Sequence, residues 1–152
     1  MKAKKSPLVL NNFILLNNTY KFIQATEDIN IIEIMEQYSI DIDFVIQPVN
    51  EEFYQLFTKI GINNIDQPLP GYKQFIEGAC IFSFDKEAGL SEMDKGTLLH
   101  ISGLNISINS LRNIVAVITA NGPFGKYTLP AIDVNQLLAD KKQIIEKQKL
   151  SK

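Results

Sequence analysis

Residues 106–142 read ISINSLRNIVAVITANGPFGKYTLPAIDVNQLLADKK. The stretch parses as a helix, a Gly/Pro loop, a short extended bridge and a second helix. Leu111, Ile114, Val115 and Ile118 recur at helical spacing, which gives the first helix one apolar face. Asn121 and Gly122 supply a helix stop, and Pro123 blocks continuation. Leu129-Pro130-Ala131-Ile132 is extended, because Pro130 pushes Leu129 out of the helical region. Asp133 then offers a cap for a second helix, with Gln136 three residues on as capping-box partner. Val134, Leu137, Leu138, Lys141, Ile144 and Ile145 share one stripe of that helix, and only Lys141 among them is polar.

Upstream, the pattern changes from helical spacing to alternation. Phe13 to Gln24 reads as a first strand, Ala25 to Asn30 as a polar connection, and Ile29, Ile31, Ile32 and Ile34 as an apolar cluster ahead of the next strand. Tyr38, Ile40, Ile42, Phe44 and Ile46 alternate strictly with Ser39, Asp41, Asp43, Val45 and Gln47, so a half-buried second strand is expected. Pro48 and Asn50 end it. Phe53 to Ile62 and Tyr72 to Phe84 are the third and fourth strands, separated by the turn-rich Gln67-Pro68-Leu69-Pro70-Gly71. Gly78 inside the fourth strand implies a bulge or a close approach by another backbone. Asp85 to Lys95 is a polar loop. Strands grouped ahead of helices give an α+β fold, a four-stranded antiparallel sheet with helices packed on one face. One domain over residues 1–152 is expected, with loose ends at 1–10 and 147–152.

Composition narrows the function. Hydrophobic residues make up 45% and charged residues 21%, which suits a globular chain. A net charge of −2 lacks the basic footprint that nucleic acid needs. No unbroken apolar run approaches the roughly 20 residues that span a bilayer, and no signal-peptide core follows Met1-Lys2-Ala3-Lys4-Lys5. The expectation is a cytoplasmic protein without stable membrane insertion. A lone cysteine, Cys80, fits a reducing compartment.

Catalytic candidates are thin. Gly122-Pro-Phe-Gly-Lys-Tyr-Thr128 departs from a phosphate loop, because Ala120 stands where the first Gly belongs and Tyr127 where Ser or Thr belongs. His100 has no second histidine and no Cys-x-x-Cys beside it, so no metal site is expected. Cys80 lies in an apolar strand and reads as an inert, buried thiol. Asp41 and Asp43 share one strand face, but it is the polar face, where solvated carboxylates belong. Neither an enzyme nor a cofactor is expected. Nine Phe, five Tyr and the many Ile exceed what one sheet and two helices hide, and strands one, three and four carry apolar residues on both faces. A homo-oligomer is expected, as a dimer of dimers.

The helix, loop, Leu-x-Pro bridge and helix resemble the C-terminal half of the SecB family of protein-export chaperones. Arg112, Gly122, Leu129, Pro130, Ile132, Val134, Leu137 and Leu138 stand in matching places, and the similarity runs over roughly residues 13–142. The resemblance implies a homotetrameric holdase that binds unfolded polypeptide clients in apolar grooves between helices and sheet, without ATP. Ile31, Ile32, Ile34, Leu98, Leu99, Leu137, Leu138 and Ile144 are the implied client-binding residues, with ordinary core as their alternative role. The family docks on the SecA translocase motor through acidic residues near the first and fourth strands. Thr19, Ile23, Lys73 and Phe75 occupy those places here, so the acidic patch is missing or moved. A chaperone of a toxin–antitoxin system is a second implication. An oligomeric small-ligand-binding or structural protein of the same layout is the alternative class.

Overall fold

The computed structural model describes residues 1–150. The chain runs β1 (Leu8–Ile23), α1 (Ile31–Glu36), β2 (Ile40–Pro48), β3 (Tyr54–Ile62) and β4 (Gly71–Phe84). A 3-10 turn at Lys86–Ala88 leads to α2 (Glu92–Leu98), a π-helical turn at Leu99–Gly103, α3 (Leu104–Thr119) and α4 (Val134–Leu150). The strands form one antiparallel sheet in the order β1-β4-β3-β2. This is the expected α+β architecture, with β1 and β2 as the two free edges.

Alternation sets the two faces. Across the sheet, Ile42, Ile60 and Ile76 lie in register, as do Ile46, Leu56 and Cys80. Leu104, Ile108, Leu111 and Val115 of α3 are buried against this face. Phe44, Thr58 and Gly78 form the middle row. A Cβ at Gly78 would come within 2.8 Å of the Phe13 ring and 3.0 Å of Leu111. The β3–β4 register is unbroken there, whereas the β1–β4 register breaks beside it between Leu15 and Asn17, so Gly78 marks a close approach by side chains next to a bulge on the neighbouring strand. The polar pair Ser107–Thr58 also sits inside, with the Ser107 hydroxyl donating to Thr58 Oγ1 at 2.8 Å. The opposite face carries Ile14, Leu16, Val45, Phe57 and Ile81, of which Ile14, Leu16 and Val45 are exposed.

Pro48 ends β2 on the free edge, where its missing amide removes no ladder bond. At the other end of β2, the Asn63 amide donates to the Ser39 carbonyl at 2.8 Å. Asn63 takes a left-handed φ of 50° and closes the β3–β4 loop with its side-chain amide. Nδ2 donates to the Leu69 and Tyr72 carbonyls, and Oδ1 accepts from the Leu69 amide. Gly71 has φ 104°, and a Cβ there would fall 1.9 Å from the Tyr38 hydroxyl.

Several boundaries differ from the sequence expectation. β1 begins at Leu8 rather than Phe13, so residues 8–10 belong to the sheet and not to a loose N-terminal end. Breaks of register between Leu10 and Asn12 and between Leu15 and Asn17 shift the alternation and conceal the strand's length. Ile31–Glu36 is a short helix instead of an irregular connection, capped by Asn30, whose side chain accepts from the Ile32 and Glu33 amides. The polar loop after β4 is shorter than expected, because Ser91 and Asp94 form a capping box that starts α2 at Glu92. α4 continues to Leu150; residues 151 and 152 lie outside the described part. The continuous rod from Glu92 to Thr119 has 28 residues and is long and apolar enough to cross a bilayer, which unbroken apolar runs had not indicated. Here its apolar stripe packs on the sheet, and Asn105, Asn109 and Asn113 point outward.

Candidate functional site

The bridge between α3 and α4 is held by Arg112. Its Nε donates to the Leu129 carbonyl at 2.9 Å and a terminal nitrogen donates to the Pro130 carbonyl at 2.8 Å, while the other meets Asn109 Oδ1. No carboxylate is involved. The planar guanidinium instead satisfies two adjacent carbonyls of an extended segment that has no strand partner. Leu129 is thereby buried, and α4 leaves at a fixed angle. Asp133 caps it, its side chain accepting from the Gln136 amide at 3.0 Å. The Gln136 side chain turns to Asp140 instead of closing a capping box.

The apolar burial of α4 is concentrated at its start. Val134 is buried, and Leu137 and Leu138 are half-buried against the core. Every residue from Lys142 to Leu150 is exposed. Between these regimes Lys141 reaches the edge strand. Its Nζ is 2.5 Å from Asp43 Oδ1 and 5.7 Å from the centre of the Phe44 ring. Asp43 Oδ1 also accepts from the Phe44 amide at 2.9 Å, and Oδ2 faces Lys59 at 3.4 Å. Burial pushes the Asp43 carboxyl up, but the bonds from Lys141 and the Phe44 amide, helped by Lys59, outweigh it and hold the carboxyl below its ordinary value.

Three hollows follow this edge. The first, about 310 Å³, is walled by Ile32 and Met35 of α1, Tyr38, Ile40, Tyr127 and Pro130. A second, about 600 Å³, lies between β2 and one flank of α4, with Ile40, Ile42, Leu137, Ile144 and Ile145 as its apolar wall and Asp41, Asp43 and Asp140 as its acidic rim. The third, about 850 Å³, lies on the other flank, with Phe44, Ile46, Leu138 and Ile145 as wall and Lys142, Glu146 and Lys149 on a mostly basic rim. Ile40 is shared by the first two, and Phe44, Lys141 and Ile145 by the last two. The result is an apolar track along the β2 edge, crossed by α4 at the Lys141–Asp43 contact.

The sequence-derived client-binding residues separate on this geometry. Ile32 (66% exposed) and Ile144 (52%) lie open in the track, and Leu137 and Leu138 form its half-buried floor. Ile31 is exposed on α1 beside it. Ile34 and Leu98 turn toward the core. Leu99 is 3% exposed and belongs to the core, with no surface to offer a client. Ile145 and the Asp43–Lys141 pair join the site only in the folded chain. Their signal in the sequence is Lys141, the one polar residue in an apolar stripe.

The remaining candidates have structural partners. Cys80 is fully buried, and burial pushes its thiol up against a smaller opposing effect of Ser107. His100 lies on the rod with Nδ1 2.8 Å from the Gly96 carbonyl, which makes Nδ1 the donor. In the Gly122–Thr128 loop, the Phe124 amide donates to the Tyr72 hydroxyl at 3.0 Å, and that hydroxyl donates to the Gly125 carbonyl at 2.7 Å. The loop is thus closed on Tyr72. Among the described residues, no three His, Cys, Asp or Glu side chains gather as a metal site would need.

Comparison with solved structures matches this arrangement to the SecB-like chaperone of Mycobacterium tuberculosis, solved in complex with a ChAD peptide from an antitoxin. The match covers 84% of this chain and 88% of that one, at a TM-score of 0.51 and 15% identity. The chain has a SecB-like fold. A protein of unknown function from Streptococcus agalactiae aligns over 82% of this chain and 97% of its own, at TM-score 0.39 and 10% identity. No protein-family model and no curated protein sequence matches the chain. The SecB-like assignment therefore rests on the fold.

Proposed function

We propose that this protein is an ATP-independent holdase chaperone, acting in the cytoplasm on unfolded polypeptide. The observation that carries the reading is the apolar track along the β2 edge, in which Ile32, Ile144 and Ile145 lie open to solvent beside hollows wide enough for side chains. Unfolded chains present apolar side chains and unpaired backbone, and a track of this kind beside a free strand edge answers both. The SecB-like fold supports the same reading.

The assembly we propose is a homo-oligomer, a dimer of dimers. Its support is the open sheet face with Ile14, Leu16 and Val45 exposed together. Among client classes, an antitoxin segment is favoured over an export precursor handed to SecA. Thr19, Ile23, Lys73 and Phe75 stand where the family's motor-docking acids are expected, and the SecB-like structural neighbour carries an antitoxin peptide. A small-ligand site is disfavoured by the length and openness of the track.

The test is dilution of a chemically denatured client into buffer without nucleotide, followed by light scattering. The wild-type protein is expected to suppress aggregation at molar excess. Ile144→Ser with Ile145→Ser is expected to lose most of that protection while keeping the melting temperature. Aggregation that proceeds unchanged across several clients would refute the reading.

A further inference from the structure

The free edge of β2 is guarded from within. The Asn63 amide donates to the Ser39 carbonyl, so odd-numbered residues of β2 point their backbone groups at β3. By the two-residue period of the ladder, Ile40, Ile42, Phe44 and Ile46 point theirs at the free edge. That is where an added strand would pair. At the centre of this row the Phe44 amide is already occupied by the Asp43 carboxylate. The same oxygen holds Lys141, and the second oxygen faces Lys59. α4 crosses the edge at this point and has no buried residue beyond it.

We propose that Asp43 and Lys141 form a latch that holds α4 across the free edge of β2, and that a client strand pairing with this edge releases it. The proposal rests on the holdase reading and deepens it. A strand that accepts the Phe44 amide must turn the Asp43 carboxylate away, and that movement breaks the Lys141 contact. α4 then lifts from this tether while Val134 keeps its base in place. Side chains of the added strand that point toward the helices enter the hollows beside Leu137, Leu138 and Ile145.

The rims set the occupant's charge pattern. Asp41 and Asp140 border the hollow at the Ile40 end, where Lys59 is taken up by Asp43, and Lys142 and Lys149 outnumber Glu146 around the one at the Ile46 end. An antiparallel partner strand places its N-terminal end near Ile46 and its C-terminal end near Ile40. The fitting client segment is extended, apolar at alternate positions, acidic toward its N-terminus and basic toward its C-terminus.

Two measurements separate the latch from the holdase reading. Hydrogen exchange of the free protein reads the latch alone. Lys141→Met is expected to speed exchange in residues 134–150 several-fold and leave α3 unchanged, and Lys141→Arg is expected to behave as wild type. Equal exchange in Lys141→Met and wild type would overturn the latch, whatever clients do. The second measurement is the affinity of a synthetic peptide of alternating Val and Ser, with Glu-Glu at its N-terminus and Lys-Lys at its C-terminus. Lys141→Met is expected to bind it about three- to five-fold more tightly, the factor a partly exposed ion pair supplies. The peptide with its charged ends exchanged is expected to bind more weakly to every variant. Unchanged or weaker binding by Lys141→Met would overturn the gating role. A rise in mass of Lys141→Met without peptide would assign the edge to a second copy and overturn the client strand. If neither the peptide nor any unfolded client binds any variant, the holdase reading falls and edge pairing with it, while exchange still judges the latch.

Discussion

Replacing Arg112 by Met should detach the bridge that aims α4. The methionine keeps much of the apolar stem and removes all three guanidinium bonds, to the Leu129 and Pro130 carbonyls and to Asn109. The Leu129 carbonyl belongs to a residue 1% exposed, so its lost donor is not replaced by water. An unsatisfied buried acceptor costs about 1–3 kcal/mol. Pro130 is exposed, and its carbonyl can turn to solvent, which adds at most about 1 kcal/mol. The sum is about 1–4 kcal/mol. For a chain of this size, each kcal/mol lowers the melting temperature by about 2–4 °C, so a fall of about 2–16 °C is expected. Circular dichroism melts measure the fall, and hydrogen exchange should show the loss concentrated in residues 129–145. Arg112→Lys should recover part of it, since an ammonium reaches one carbonyl but cannot bridge two. A melting temperature within 1–2 °C of wild type, with residues 129–145 still protected, would refute the clamp.

Ile31→Ser with Ile32→Ser should lower the melting temperature by only a few degrees, because both side chains are exposed and full burial of an isoleucine is worth only about 1.5–3 kcal/mol. Leu111→Ala, at a fully buried site, should cost about 2–5 kcal/mol in the same melt. Gly71→Ala should be strongly destabilising: φ 104° strains any side chain, and the new Cβ displaces the Tyr38 hydroxyl from the Pro70 carbonyl and the Tyr72 amide. Hydrogen exchange in α4 should also depend on acid. The folded Asp43 carboxyl lies below its ordinary 3.8, so its contribution is complete above about pH 4 and fades as pH falls through the depressed value. Asp43→Asn should flatten that dependence.

Some of this was legible in the residues and some was not, for physical reasons. β2 reads clearly because a half-buried strand writes strict alternation, from Tyr38 to Gln47. The Leu129-Pro130 bridge reads clearly because Pro130 leaves Leu129 few conformations. β1 was cut short because its register breaks put the alternation out of phase at Asn11 and Leu16. α1 was missed because six residues rich in isoleucine carry no helical periodicity; the Asn30 cap defines it. The π-helical turn joins α2 to α3 with no Pro to announce it, and its Gly103 is buried beside the Phe82 ring instead of breaking the rod. Of the site, the apolar stripe of α4 was visible, whereas the Asp43–Lys141 contact joins residues 98 apart and needs the fold to bring it together.

The central claim is that unfolded polypeptide binds along the β2 edge beside α4. The most direct test is hydrogen exchange of the protein with and without a saturating, permanently unfolded client in the absence of nucleotide. The account predicts slower exchange at residues 40–46, where free edge amides acquire partners, together with altered exchange at residues 134–145. Client binding that leaves both segments unchanged and protects a different surface would contradict it.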